Sequence, residues 1–184
     1  MTDTEITVVI DHLWLLSLNS VVDAQVESKE PPVPPSQHTL NCDGGRYAYL
    51  KAGAGPALVI VHGVGGHKED WVGVMMALAD KRTVFAVDML GFGASSRDFA
   101  DLSIHAQARA IKALLEKQNV PRADVIGNSV GGWVAATFAA TYPSMVGKLV
   151  VVDPAGFAKM FEGEPPVNLF PDDVGQMKKL LSFV

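Results

Sequence analysis

Five residues carry the clearest chemical signal in this chain: Gly127-Asn128-Ser129-Val130-Gly131. They follow the apolar pair Val125-Ile126 and open a second apolar run from Trp133 to Ala140. A G-x-S-x-G between a strand-like and a helix-like segment forces a turn so tight that the serine takes strained backbone angles. Gly127 and Gly131 remove the Cβ atoms that would collide there. The expected result is a serine hydroxyl standing at the carboxyl end of a strand, exposed as a nucleophile for acyl transfer.

Acyl transfer to a serine needs two hydrogen-bond donors where the tetrahedral oxyanion forms. The residue after the serine, Val130, offers one N–H at the start of a helix, where the dipole favours negative charge. The second is expected from Val64 in His62-Gly63-Val64-Gly65-Gly66, a glycine-rich turn directly after the apolar run Ala57–Val61. That turn matches neither G-x-x-x-x-G-K-[ST] nor G-x-G-x-x-G, so a phosphate loop is disfavoured. A further turn, Asp88-Met89-Leu90-Gly91-Phe92-Gly93, follows the strand-like Thr83–Val87.

The elements that must hold these turns alternate. Residues 38–42 and 46–51 flank Asp43-Gly44, a hairpin signal. Ala57–Val61 is continuously apolar, as in a strand covered on both faces. Residues 68–79 suit a helix. Another runs over Ser103 to Gln118, capped by Ser103, with Ile104, Ala108, Ile111 and Leu115 as its buried stripe. Strands are expected at Val125-Ile126 and Leu149–Val152, and a helix over residues 130–140. Strands alternating with helices of this length make βαβ units and a mostly parallel, doubly wound sheet.

Three regions divide the 184 residues: an apolar leader and Pro-rich linker over 1–36, an α/β core over 37–156, and a differently patterned tail over 157–184. Ile6 to Val22 is mostly apolar but contains Asp11 and His12, and falls short of the roughly 20 residues a spanning helix needs. It reads as a loosely packed leader, with an interfacial helix or a membrane anchor as the alternatives. A net charge of −5 excludes a nucleic-acid footprint, and Cys42, the single cysteine, excludes a disulfide framework. Trp71, Trp133, Phe92 and Phe157 are candidates to line an acyl pocket, although Trp133 is expected to pack in the core. Met75, Met76 and Met160 read as ordinary packing or pocket residues.

Taken together and in order, these turns resemble the α/β-hydrolase superfamily over about residues 38–160. His62 to Trp71, Asp88 to Gly93, Asp101-Leu102-Ser103-Ile104 and Asp153-Pro154-Ala155-Gly156 look most like its monoacylglycerol-lipase and bacterial-lipase branch. The resemblance implies an α/β-hydrolase fold, incomplete at its carboxyl end, with the start of a helical cap after Gly156. It also implies Ser129 as nucleophile, Val64 and Val130 N–H as the oxyanion hole, and His62, Gly63, Gly127 and Gly131 as supports. No metal or cofactor is expected, and the substrate is a small ester or acylglycerol. Carbon–carbon bond hydrolysis on the same scaffold is an alternative, as is a binding module without chemistry. Location is left open between cytoplasmic and peripherally membrane-associated, the latter through residues 6–22.

One departure stands out. The family orders its triad Ser, then Asp or Glu, then His, but all five histidines precede Ser129: His12, His38, His62, His67 and His105. The chain therefore reads as the amino-terminal part of a hydrolase lacking its base, and as nearly inactive. His62 is read as a structural ring that holds its loop, His67 and His105 as surface residues. Asp153 is the local candidate for the acid, with a turn-fixing carboxylate the preferred reading; Asp88 is also read as structural. With the outer strands of the fold missing, Leu149–Val152 is expected to be a naked edge and the protein marginal or aggregating.

Overall fold

The computed structural model describes residues 34–42, 45–98 and 101–156, together with the backbone of 5–9. Its strands are β1 (Glu5–Val9), β2 (Ser36–Cys42), β3 (Gly45–Ala52), β4 (Ala57–Val61), β5 (Thr83–Val87), β6 (Ala123–Asn128) and β7 (Val146–Val152). Three α-helices lie among the described residues: α1 (Val72–Leu78), α2 (Ile104–Lys117) and α3 (Val130–Thr141). A 3₁₀ turn, Lys68–Trp71, leads into α1, so the helix expected over 68–79 begins in the tighter form.

The strands form one seven-stranded sheet in the order β1-β7-β6-β4-β5-β3-β2. Pairing is parallel from β1 through β5, while β3 runs antiparallel to both β5 and β2. The β2–β3 pair is the hairpin read around Asp43-Gly44, and β2 takes in Ser36 from the expected linker.

Alternation along the central strands sorts the core into two layers. Val59, Val61, Phe85, Val87, Val125 and Val151 join Ile111, Leu114, Leu115, Val134 and Phe138 under α2 and α3. Leu58, Ile60, Val84 and Ala86 point the other way, onto Trp71 and Met75. Both faces of β4 are thus covered, which is why ALVIV is apolar at every position. Ser103 caps α2 by accepting the Ala106 N–H at 3.2 Å. On that helix Ala108, Ile111 and Leu115 are buried as expected, with Leu114 and Gln107 buried beside them.

The naked edge expected at Leu149–Val152 is not there. β1 pairs with β7 in parallel, Glu5 opposite Lys148 through Val9 opposite Val152. The run Ile6-Thr7-Val8-Val9 is β-branched throughout and suits a strand better than the start of a helix. It satisfies the open N–H and C=O groups of β7 that would otherwise recruit another chain. Residues 10–33 and 157–184, including the remaining apolar leader, His12, Phe157, Met160 and the expected cap, lie outside the described residues. No helix among the described residues is long and apolar enough to cross a membrane.

Candidate active site

The parallel strands direct three loops to one end of the sheet: 62–67 after β4, 88–96 after β5 and 153–156 after β7. Ser129 lies among them, between β6 and α3, half-buried at φ 53° and ψ −120°. A residue with a Cβ is rarely found at such angles. Its own backbone holds it there. The Ser129 N–H donates to Val152 O at 2.9 Å, and its carbonyl accepts from Gly132, Trp133 and Ala155 N–H at 2.9, 3.2 and 2.9 Å.

The flanking glycines are required by contact. A Cβ at Gly127 would sit 2.1 Å from Gly131 O, and one at Gly131 would sit 2.3 Å from both Val61 O and His62 O. Backbone atoms cannot yield as a side chain can, so α3 packs against β4 only through a bare Cα. Among the described residues the Ser129 hydroxyl has no hydrogen-bond partner, and neither does the N–H of Val130 or of Val64.

How Val64 N–H is aimed follows from its peptide partner. The Gly63 carbonyl accepts from Gly66 N–H at 3.1 Å and contacts His62 Nδ1 at 2.7 Å. His62 Nε2 faces the Met89 N–H at 3.1 Å, so Nε2 is the acceptor and Nδ1 carries the hydrogen. The Gly63–Val64 peptide is trans and planar, so fixing its C=O sends the Val64 N–H the opposite way. Gly63 itself lies against the serine: a Cβ there would be 3.0 Å from Ser129 Cβ.

Both nitrogens of His62 are thus engaged, and the ring is 1 % exposed, edge-on to Phe92. Burial lowers its pKa, against the opposing pull of the Gly63 hydrogen bond and of Asp88 and Asp70. It is held neutral and points away from proton transfer with Ser129. His67 pairs with Asp70 at 2.6 Å, His38 bonds Ser36 at 2.7 Å and stacks on Tyr49, and His105 is exposed on α2. None of these bonds Ser129.

Asp153 follows β7 directly, half-buried at φ 42°, in the segment that clamps the Ser129 backbone. Asp88 is fully buried. Its Oδ1 accepts the Lys68 N–H at 2.8 Å; its Oδ2 takes Lys68 Nζ at 2.7 Å and the Ala94 N–H at 2.8 Å. Burial works against its charge, but these three donors and the lysine's charge prevail and lower its pKa. Lys68, 2 % exposed, is raised in turn: burial opposes its charge, and Asp88 and Glu69 outweigh that. Gln107 brackets Leu90, accepting its N–H at 2.7 Å and donating to its carbonyl at 3.0 Å. Lys68 and Gln107 escaped the sequence reading, for each looks like an ordinary polar residue on a helical surface.

Trp133 corrects an expectation. It is 42 % exposed instead of packed in the core, because the first turn of α3 projects it past the sheet. Gly156 lies flat on its ring, where a Cβ would come within 2.2 Å of Trp133 Cδ2. Leu102, 48 % exposed, rests over Gly91 at the same end of the sheet. Trp71 and Met75 are buried under the opposite face, away from Ser129, while Phe92 and Met76 are half-buried. A cleft of about 370 Å³ opens at the opposite, amino end of the strands, but there Arg82 is committed to Asp124 at 2.6 Å and Ala57 O at 3.0 Å.

Comparison with known proteins adds independent information. Residues 56–181 match the family described as alpha/beta hydrolase fold. An uncharacterised protein of Mycobacterium tuberculosis is 38% identical over 126 residues, 68% of this chain and 37% of that protein. Human monoacylglycerol lipase ABHD6 is 31% identical over 154 residues, 73% of this chain and 46% of the lipase. The crystal structure of a membrane phospholipase A, a bacterial virulence factor, superposes with a TM-score of 0.71 at 30% identity, over 93% of this chain and 56% of that one. An epoxide hydrolase, CorEH, superposes with a TM-score of 0.67 at 30% identity, over 72% of this chain and 47% of that one. The chain spans less than half the length of these curated relatives.

Proposed function

The chain belongs to the alpha/beta hydrolase fold family, and from that premise we propose that it carries the nucleophile and oxyanion half of a serine hydrolase acting on carboxylic esters. One observation supports this reading above the others. Ser129 is held half-exposed at φ 53° and ψ −120°, flanked by the loop amide of Val64 and by the amide of Val130, the first residue of α3, neither of which is bonded among the described residues. Strain of that kind costs on the order of 1–3 kcal/mol and persists where the surroundings over-determine it.

In the proposed reaction the Ser129 hydroxyl attacks the ester carbonyl and gives up its proton to a base. The Val64 and Val130 N–H groups take the oxyanion, a contribution of roughly 3 kcal/mol per donor. The C–O bond to the alcohol breaks, the alcohol leaves with a proton, and water hydrolyses the acyl-serine. None of His38, His62, His67 and His105 bonds Ser129, so none of them is assigned as the base. Without a base at Ser129 turnover would be slow, since loss of one triad member costs several orders of magnitude in rate. Asp153 is retained as a carboxylate that fixes its turn. An acylglycerol or phospholipid acyl ester is the favoured substrate class, supported by the lipase and phospholipase relatives. The exposed Trp133 and Leu102 at that end of the sheet suit an apolar chain.

A binding module without chemistry is the second reading, favoured because the Ser129 hydroxyl has no hydrogen-bond partner among the described residues. A fluorophosphonate probe separates the two. Labelling at Ser129, absent in Ser129→Ala, supports the hydrolase; a folded chain that takes no label supports the binding module.

A further inference from the structure

A lysine buried to 2% exposure and paired with a buried carboxylate calls for an explanation. Lys68 and Asp88 are 2% and 0% exposed. Desolvating two charges can outweigh their mutual attraction, so a buried pair of this kind is weak evidence for stability, and its use is sought in geometry. What it joins is specific. Asp88 accepts from both the backbone N–H and the Nζ of Lys68, at 2.8 and 2.7 Å, and from Ala94 N–H at 2.8 Å. Lys68 Nζ also reaches Glu69 at 2.7 Å. Gly93 at φ 52° closes over the carboxylate so tightly that a Cβ there would lie 2.3 Å from Asp88 Cγ.

The segment between β4 and the 3₁₀ turn, residues 62–67, is thereby tied at both ends to the same neighbour. At its start His62 Nε2 takes the Met89 N–H at 3.1 Å. At its end Lys68 is gripped by Asp88, the residue before Met89. Val64 lies between these anchors. We propose that Lys68 is a positioning residue: with Asp88 it holds the loop in the one arrangement that keeps the Val64 N–H beside Ser129. This rests on the reading of Val64 as an oxyanion donor. A pair that served only to fill the core would leave the chemistry unchanged when replaced by an uncharged pair of similar shape.

The test compares the full chain with Lys68→Met/Asp88→Asn. The rate of fluorophosphonate labelling is split into probe affinity and maximal rate, and amide hydrogen exchange is followed at residues 62–67. The expected result is a maximal labelling rate down at least tenfold with affinity within twofold, and faster exchange at Gly66, whose N–H bonds the Gly63 carbonyl that aims Val64, in a variant that still melts cooperatively. Labelling and exchange both unchanged would overturn the proposal. If the wild-type chain takes no label, the hydrolase reading fails on its own account and exchange at Gly66 decides: faster exchange in the variant upholds the positioning role, equal exchange overturns it. Should the double variant not fold, Lys68→Arg, which keeps the charge and alters its reach, is read by the same two measurements and the same outcomes.

Discussion

Ser129 stands at backbone angles that a glycine would adopt without strain. Ser129→Gly is therefore expected to raise the unfolding free energy by about 1 kcal/mol, the relief of φ strain exceeding glycine's extra unfolded-state entropy. Urea denaturation measures it, and a clear loss of stability would show that the turn is not strained. Gly131 gives the complementary case. Its missing Cβ would meet two carbonyl oxygens of the β4 end at 2.3 Å. Gly131→Ala should cost about 3 kcal/mol, at the upper end of overpacking penalties. Gly73, on α1 with open space around it, is the control: Gly73→Ala should stabilise by up to about 1 kcal/mol through helix propensity alone. Similar melting shifts in the two alanine variants would contradict the packing argument. At this scale the sequence was most legible where chemistry is local. G-x-S-x-G names its serine because the turn itself dictates the residue types. The Lys68–Asp88 contact left no local trace, since it joins loops on two different strands and a lysine at a helix start looks solvent-facing.

Elements carry the pH behaviour. His62 is the hinge between the loop after β4 and the loop after β5, and burial lowers its pKa. Its neutral form is the folded one, so the stability it contributes is fully present above the unfolded value of about 6.5. That stability falls as the pH drops from there through the lower folded value, with a slope of up to about 1.4 kcal/mol per pH unit. Protonation at Nε2 would also set two N–H groups, its own and that of Met89, against each other. His62→Gln keeps an acceptor for Met89 but does not titrate. Its melting temperature should therefore vary less between pH 6.5 and 5 than that of the parent, and an equal slope would remove His62 as the cause. Asp88 acts lower down: its lowered pKa supports the fold above about pH 4 and ceases to do so as the carboxylate protonates. The elements themselves were well marked in the sequence. The β4 and β5 bounds follow apolar runs, and the start of α2 follows a serine cap. Trp133 misled because helical spacing says which residues share a face, not how far the first turn of α3 reaches beyond the sheet.

For the whole molecule, the question is how the sheet ends. β1 lies outside the residues matched by the family and closes the β7 edge. Removing residues 1–9 should reopen that edge and raise the weight-average mass in light scattering, with the melting temperature falling. A monomeric, unchanged melt would show the strand to be dispensable. The sequence could not announce this pairing. Glu5–Val9 meets residues 148–152 across nearly the whole chain, and a short β-branched run carries no record of its partner. The parallel core between the edges was legible because each βαβ unit repeats its own pattern of strand, turn and helix.

The central claim is that Ser129 is a nucleophile served by two main-chain amides. The most direct measurement is intact and peptide mass spectrometry of the folded chain after incubation with an activated acyl ester such as a p-nitrophenyl ester. With no base among the described histidines to speed hydrolysis, a single acyl group should accumulate on the peptide containing Ser129 and be missing in Ser129→Ala. A folded chain that stays unmodified at Ser129, or that releases p-nitrophenol equally well as Ser129→Ala, would contradict the account.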